Sequence, residues 1–434
     1  MNWLLTWMFV AIVLWFLAEG FMRPDRSYQF PFLAGVMTFS FILPQLPAAA
    51  NDPFLPEGAY AKTIFLGVLC LLALRLGWSS RARPLAMFEI AFSERRLVIV
   101  AALFSVIGAW FYEKLSHLPG DVSIGVQMSG MPVVYLFFAR LLTYGLAIAL
   151  LCAARKPSPL LFAIIGFDLI FYFERIVITG KRAEATELAL MIVLPLWFFR
   201  RWAPPRALVM AALAAGTVGM VSMSDYRQIA RANSGPVWDQ VAQIDFTENF
   251  RALIADGGPE TRNAVLRIDA TDRNLEFDYG AFHWNRLVFN YVPSQLLGNT
   301  FKQMLMLPMP SAGRDYNPAT GTTETGMADA FQSFWYFGAL KFLLLSWVMA
   351  RIWASAMRGQ AAAQIVYILS IVPAMHAISH QTDWVVSVWV HMLIFLGPAL
   401  AFCVVRLPML RRAEGPGRRG RGAGVRHPPL EQPL

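Results

Sequence analysis

The sequence predicts an all-α polytopic membrane protein with about eleven transmembrane helices and one long loop subdomain. Three observations predict it. The 434-residue chain is 57% hydrophobic and only 15% charged. It carries a succession of apolar runs longer than a soluble core helix needs. Lys and Arg residues concentrate in alternate loops between those runs.

A helix needs about 20 mostly apolar residues to cross the hydrocarbon core. The candidates are residues 3–20, 30–46, 61–78, 97–111, 132–153, 160–173, 185–199, 207–223, 331–350, 361–378 and 384–405. The first run lacks a basic leader and a small-residue cleavage site, which reads as a retained span rather than a signal peptide. Four regions follow: residues 1–223 with spans one to eight, a loop subdomain at 224–330, spans nine to eleven at 331–405, and a basic, disordered tail at 406–434.

Charge sets the orientation. One set of short loops holds thirteen basic residues: Arg23, Arg26, Arg81, Arg83, Arg95, Arg96, Arg155, Lys156, Arg200, Arg201, Arg206, Arg351 and Arg358. The opposite short loops hold five, namely Lys62, Lys114, Arg175, Lys181 and Arg182. Basic residues stay on the cytoplasmic side, so the N-terminus is expected outside and the C-terminus inside. The net charge of +9 follows from this asymmetry and from the tail, and dispersal of the basic residues between apolar spans excludes nucleic-acid binding. Cys70, Cys152 and Cys403 lie in or beside apolar runs with no regular spacing, which suggests neither a disulfide framework nor a zinc site.

The sharpest signal for function is a basic cluster on the side that normally lacks one: Arg175, then Gly180-Lys181-Arg182 opening the seventh span. A helix start already carries partial positive charge, so cations there call for compensation. Glu184 and Glu187, one turn on, offer it internally. The other reading is that free amides and cations together bind phosphate or diphosphate. Arg227 and Arg231 follow the eighth span on the same side, four residues apart, as phosphate ligands or as snorkelling side chains.

Within the long loop, nine basic residues face thirteen acidic ones. Helical patches are expected around residues 237–254 and 284–307, the second apolar enough to lie along the membrane surface. Asp278, His283 and Arg286 fall within nine residues among Tyr279, Phe282 and Trp284; rings beside polar groups suit a sugar, and an interfacial helix reads the same way. Arg314, Glu324 and Asp329 precede the ninth span. A carboxyl there, partly buried, can serve as a general base, or Asp329 can simply cap a helix. His376, His380 and Asp383 share one helix face, which fits hydrogen-bonded helix-end histidines better than a metal site. Within the apolar spans, Arg75, Arg140, Asp168 and Lys341 need partners, and Asp168 with Arg140 or Lys341 is the expected pair.

These features resemble the Wzy-type O-antigen or oligosaccharide repeat-unit polymerase family. The resemblance rests on Gly180-Lys181-Arg182 opening a span, Tyr226-Arg227 after the next, and the long external loop. That loop ends in Leu307-Pro308-Met309-Pro310, Arg314 and the run from Asp329 through Phe337-Gly338. It implies a GT-C-like membrane glycosyltransferase in the bacterial inner membrane, with its N-terminus and long loop periplasmic and its C-terminus cytoplasmic. The implied reaction polymerises undecaprenyl-diphosphate-linked oligosaccharides into O-antigen or exopolysaccharide without metal or cofactor, with the lipid bilayer and a chain-length regulator as further partners. On this resemblance Arg175, Lys181, Arg182, Arg227, Arg286 and Arg314 form the pool that binds diphosphate and glycan, and Asp329, Glu324, Asp278 and His283 are the base candidates. An O-antigen ligase shares the architecture and differs in acceptor. A polysaccharide transporter or flippase would instead use the mid-membrane cations, and a non-catalytic scaffold would tolerate loss of charge at residues 175–182.

Overall fold

The computed structural model describes residues 1–117, 131–177, 182–222, 225–226, 229, 238–310 and 324–405. All eleven predicted segments fall in helices. In chain order these are α1 (Asn2–Met22), α2 (Phe30–Phe41) continued by α3 (Leu46–Asn51), α4 (Ala59–Gly77), α5 (Glu94–Ser116), α6 (Met131–Ala139) leading into α7 (Leu141–Arg155), α8 (Pro159–Val177), α9 (Arg182–Arg200) and α10 (Arg206–Val221). The long loop folds into α11 (Phe246–Asp256), α12 (Pro259–Asn274), α13 (Ala281–Tyr291) and shorter turns. The chain then forms α14 (Gly326–Phe334), α15 (Leu340–Met357), α16 (Ala361–Met375), α17 (Asp383–His391) and α18 (Gly397–Cys403). Seven of these units are long and apolar enough to cross a membrane: α1, α2 with α3, α4, α5, α6 with α7, α14 with α15, and α17 with α18. The protein is an all-helical, multi-pass membrane protein. α10 and α16 are apolar but shorter, while α8 and α9 carry Asp168, Glu174, Arg175, Glu184 and Glu187.

Lipid is as apolar as leucine, so helices in a bilayer associate through close contact rather than by escape from water. Large side chains such as Phe9, Phe16, Phe30, Ile64 and Phe342 are fully buried, whereas Trp7, Leu103, Val106 and Ile170 remain exposed on outer faces. Gly108 of α5 lets the backbone of α7 approach so closely that an added Cβ would lie 2.2 Å from the Leu142 nitrogen.

Contacts between loops sort the helix ends into two groups. At one end Arg206 donates to the Met22 carbonyl, Arg96 to the Phe402 and Val404 carbonyls, and Leu85 N–H to the Ser355 hydroxyl. Glu94 pairs with Arg155, and Glu19 with both Arg26 and Arg75. These are the loops that carry the thirteen basic residues. Arg75 thus occupies the last turn of α4 beside Glu19 and over the Trp15 ring, and not the middle of a span. At the opposite end Asn2 donates to the Ala50 carbonyl, Arg262 pairs with Asp52, and Lys62 pairs with Asp269 and Asp272.

The loop subdomain is therefore folded onto this second end of the bundle. α12, which the hydropathy pattern does not reveal, buries Ala264, Val265 and Ile268, and its start is tied down where Thr261 N–H donates to the Gln45 side chain, 3.1 Å away. The second expected patch breaks into α13 and two short helices, Ser294–Leu297 and Asn299–Met304, with Trp284, Leu297, Phe301, Met304 and Leu307 exposed.

The ninth span is not one continuous helix over residues 331–350. α14 stops at Phe334, Trp335 adopts φ 54° and ψ −143°, and a 3-10 turn at Trp335–Ala339 leads into α15. Such backbone angles are strained for a residue with a side chain. The reversal has a direct result. Twelve residues of continuous helix would separate Lys341 from Asp329 by about 18 Å, yet Lys341 Nζ lies 3.5 Å from Asp329 Oδ1.

Candidate active site at the end opposite the basic loops

Asp329 is the centre of the site. It sits in the first turn of α14, whose start is pinned by Thr325 capping the Ala328 N–H and by Gly326 N–H donating to the Ile378 carbonyl at 3.1 Å. No side chain fits at Gly326: a Cβ would lie 1.7 Å from the Ala377 carbonyl oxygen. This contact aligns α14 with the turn between α16 and α17, and it sets Asp329 beside Thr382, the residue preceding α17.

The carboxylate, 3% exposed, is almost fully bonded. Thr382 N–H donates to Oδ2 at 2.5 Å, and the Thr382 hydroxyl lies 3.1 Å from Oδ1 and 3.0 Å from Oδ2. Lys341 supplies the counter-charge, and its ammonium also donates to the Ser333 hydroxyl at 2.8 Å. Asp329 does not cap its own helix, the role one sequence reading allows it, since Thr325 does so. It instead anchors the residue that precedes α17, fifty-three residues later.

His283 of α13 completes the cluster, with Nε2 2.7 Å from the Thr382 hydroxyl. The hydroxyl has one proton and faces an acceptor-only carboxylate, which takes it. The Thr382 oxygen must then accept from His283, so Nε2 carries the imidazole proton and Nδ1 bears a lone pair. That Nδ1 is buried and has no hydrogen-bond partner among the described residues. Burial, reinforced by the Lys341 charge, lowers the His283 pKa from 6.5 to about 4, so the ring is neutral near pH 7. The arrangement runs from Asp329 through Thr382 to His283 and ends on an unprotonated nitrogen.

Other predicted residues gather around it. Glu324 accepts from the Gln381 amide at 2.9 Å. Arg286, one turn along α13 from His283, lies 3.6 Å from Asp383 and over the Phe282 ring, too far for a hydrogen bond, and its Nε is without a hydrogen-bond partner among the described residues. Asp278 closes the turn into α13, accepting from Gly280 N–H at 2.8 Å, while its own N–H donates to the Gln332 carbonyl. It is a turn residue, and its carboxylate does not join the Thr382 contacts. Exposed rings of Tyr279, Phe334 and Trp335 flank the cluster. Tyr279 and Phe334 have centroids 6.5 Å apart, and Lys341 lies over the Phe334 ring.

The phosphate candidates divide differently. Arg175 pairs with Glu184, which the sequence reading offered to the helix-start cations Lys181 and Arg182, and lies over the Tyr112 and Tyr172 rings. Lys181, Arg227 and Arg314 lie outside the described residues. Arg182 begins α9, but its side chain lies outside the description. Among the described residues the Asp329 cluster sets Asp329, Asp383 and Glu324 against Lys341 and Arg286, with His283 neutral, so it holds no excess of positive charge.

The expected pairing of Asp168 is revised. Asp168 pairs with neither Arg140 nor Lys341: the Ser105 hydroxyl donates to it at 2.8 Å, and Lys341 is drawn to Asp329 by the reversal before α15. His376 and His380, whose ring centroids lie 5.0 Å apart, are hydrogen-bonded helix-end histidines as the sequence reading preferred, with His376 Nδ1–H donating to the Val372 carbonyl at 2.8 Å and His380 bonding Ser379. No group of three His, Cys, Asp or Glu residues among the described residues is arranged to hold a metal ion. Thr382 was not foreseeable: a single threonine in a short interhelical turn carries no sequence signal.

Compared with known proteins, the chain matches no family model, no curated sequence and no solved structure.

Proposed function

We propose that the chain is a metal-independent glycosyltransferase that polymerises undecaprenyl-diphosphate-linked repeat units of a bacterial surface polysaccharide. On this reading all eleven helical segments cross the inner membrane in a GT-C-like arrangement, and the end bearing α11 to α13 faces the periplasm. The observation that carries it is the Asp329, Thr382 and His283 relay, located at the end away from the basic loops and flanked by exposed rings.

The chemistry requires an acceptor hydroxyl to lose its proton as its oxygen bonds the donor's anomeric carbon, while the bond from that carbon to the diphosphate oxygen breaks. His283 Nδ1 takes the proton, which requires that the entering acceptor uncover this buried nitrogen. Asp329 then stabilises the imidazolium through the Thr382 hydroxyl, the role a buried carboxylate plays behind a general-base histidine. Phe334 and Tyr279 offer faces for sugar rings. The leaving diphosphate gathers negative charge and needs cations. Arg286, 37% exposed beside Asp383, is one candidate, and Lys181, Arg182, Arg227 and Arg314 are the sequence candidates for the others.

The test is His283→Gln in a strain deleted for the native gene. Glutamine keeps a donor toward Thr382 and removes the basic nitrogen. Membrane levels should be unchanged, and surface glycan should shift to core capped with a single repeat unit, because loss of a general base costs about 10²- to 10⁴-fold in rate. Glycan of unaltered length distribution would reject His283 as base, and glycan lacking any capped core would favour a ligase or flippase.

A further inference from the structure

A groove of about 440 Å³ lies between α6 and the segment that follows α13. One wall is apolar, formed by Val133, Val134, Phe137 and Phe138 of α6. The other wall is mixed, with Tyr291, Asn299 and Lys302 among its residues. α6 packs on α5 through the stacked Phe111 and Phe138 rings, 4.7 Å apart, and its residues 132–138 are only half covered. The opposite wall belongs to the interfacial segment whose Leu297, Phe301, Met304 and Met306 are exposed. The groove therefore combines a membrane helix on one side with a membrane-surface segment on the other. Its volume is in the range of a site for a single small ligand or lipid chain.

Its charge is one-sided. Lys302 Nζ donates to the Phe289 carbonyl at 2.8 Å and lies 4.3 Å from the Phe289 ring centroid. No carboxylate among the described residues pairs with it, and partial burial lowers its pKa from the ordinary lysine value. An ammonium has three donors, and among the described residues one acceptor bonds this one. Arg140, at the junction of α6 and α7, is near enough to act electrostatically on Tyr291 at the inner end of the groove. An apolar wall facing a cationic one at the membrane surface is complementary to an amphiphile with an anionic head.

We propose that this groove binds a lipid phosphate, its head group on Lys302 and one apolar chain along Val133, Val134 and Phe137. The lipid is the phosphate-headed carrier of the proposed reaction, and to that extent the inference rests on the polymerase reading. The groove is joined to the Asp329 cluster through α13, which carries His283 in its first turn, Arg286 at its middle and Tyr291 at its end. Tyr291 in turn donates to the Ser387 carbonyl of α17 at 2.5 Å, one turn from Asp383.

The test labels the purified full chain in nanodiscs with photoreactive farnesyl diphosphate and, separately, with photoreactive farnesol. The diphosphate should label peptides from residues 131–139 and 289–306. Lys302→Gln should weaken diphosphate binding roughly tenfold or more, the loss of one charge-assisted hydrogen bond, and leave farnesol unchanged, while Lys302→Arg retains binding. Val134→Trp should block both probes. Labelling that ignores both substitutions, or that excess phosphatidylglycerol displaces, would overturn the proposal, the latter outcome marking a site for bulk phospholipid. No turnover is needed, so His283→Gln protein should label normally. Loss of the groove with an intact His283 phenotype, or the reverse, separates this inference from the polymerase reading.

Discussion

Removing Asp329 should expose how much of this end of the molecule depends on one carboxylate. In Asp329→Ala the Thr382 N–H, which donates at 2.5 Å, loses its acceptor, and Lys341, 21% exposed, loses its counter-ion. A hydrogen bond to a charged group is worth about 1.5–3 kcal/mol, and breaking a buried pair from one side costs about 3–5 kcal/mol. These overlap, so the expected loss is about 4 kcal/mol. Lys341→Met leaves the carboxylate with both Thr382 donors and should cost about 2 kcal/mol. In the double variant no charge is stranded, and the loss should stay near 4 kcal/mol rather than reach the sum of roughly 6, a coupling of about 2 kcal/mol. The chain's 14 tryptophans make fluorescence a convenient monitor. At about 2 °C per kcal/mol for a chain of this size, Tm in detergent at one scan rate should fall by about 8, 4 and 8 °C. Additivity within about 1 °C would refute the pairing of Asp329 with Lys341, and with it the role assigned to the break before α15.

Three further outcomes follow from particular residues. His283 falls from pKa 6.5 to about 4 on folding, so between those values the unfolded chain binds a proton that the folded chain does not. Stability is full above pH 6.5 and declines as pH drops toward 4, by up to about 3 kcal/mol; His283→Gln should flatten the fall of Tm over that window, and an unchanged slope would contradict burial of a neutral ring. Gly326→Ala places a Cβ 1.7 Å from the Ala377 carbonyl oxygen and should cost about 3 kcal/mol or more, read as a Tm shift of about 6 °C that a well-accommodated alanine would not produce. Arg182→Ala, in a strain deleted for the native gene, should leave protein in the membrane and yield core bearing a single repeat unit; long chains of normal length would dismiss Arg182 as a diphosphate ligand.

Much of the architecture was legible because the bilayer imposes a simple rule. Apolar length and loop charge marked all eleven helical segments and sorted their ends into the two groups that the loop contacts then join. The candidate site was legible in its ingredients: Asp329, His283, Glu324 and Arg286 stood out as polar groups among aromatic residues near a membrane surface. Their relation was not. His283 and Asp329 are 46 residues apart in the chain, and the hydroxyl joining them comes from Thr382, another 53 residues on. The pairing of Lys341 depended on a helix break that hydropathy cannot register, since residues 335–339 are as apolar as the helix around them. α12 escaped notice because half of the residues it buries, namely Thr261, Asn263, Asp269 and Thr271, are polar and leave no apolar periodicity.

The chain's composition by itself determined that this is a helical membrane protein, because runs of this length and apolarity have no other stable solution in lipid. It also determined which loops share a side, since the cost of moving charge through hydrocarbon acts on each loop separately. Tertiary structure alone decided that one carboxylate would bind the residue before a distant helix, take a lysine as its counter-ion and leave a histidine nitrogen unprotonated. Those are properties of groups brought within hydrogen-bonding range by a reversed backbone at Trp335 and a close approach at Gly326, and no local pattern encodes a distance between segments so far apart.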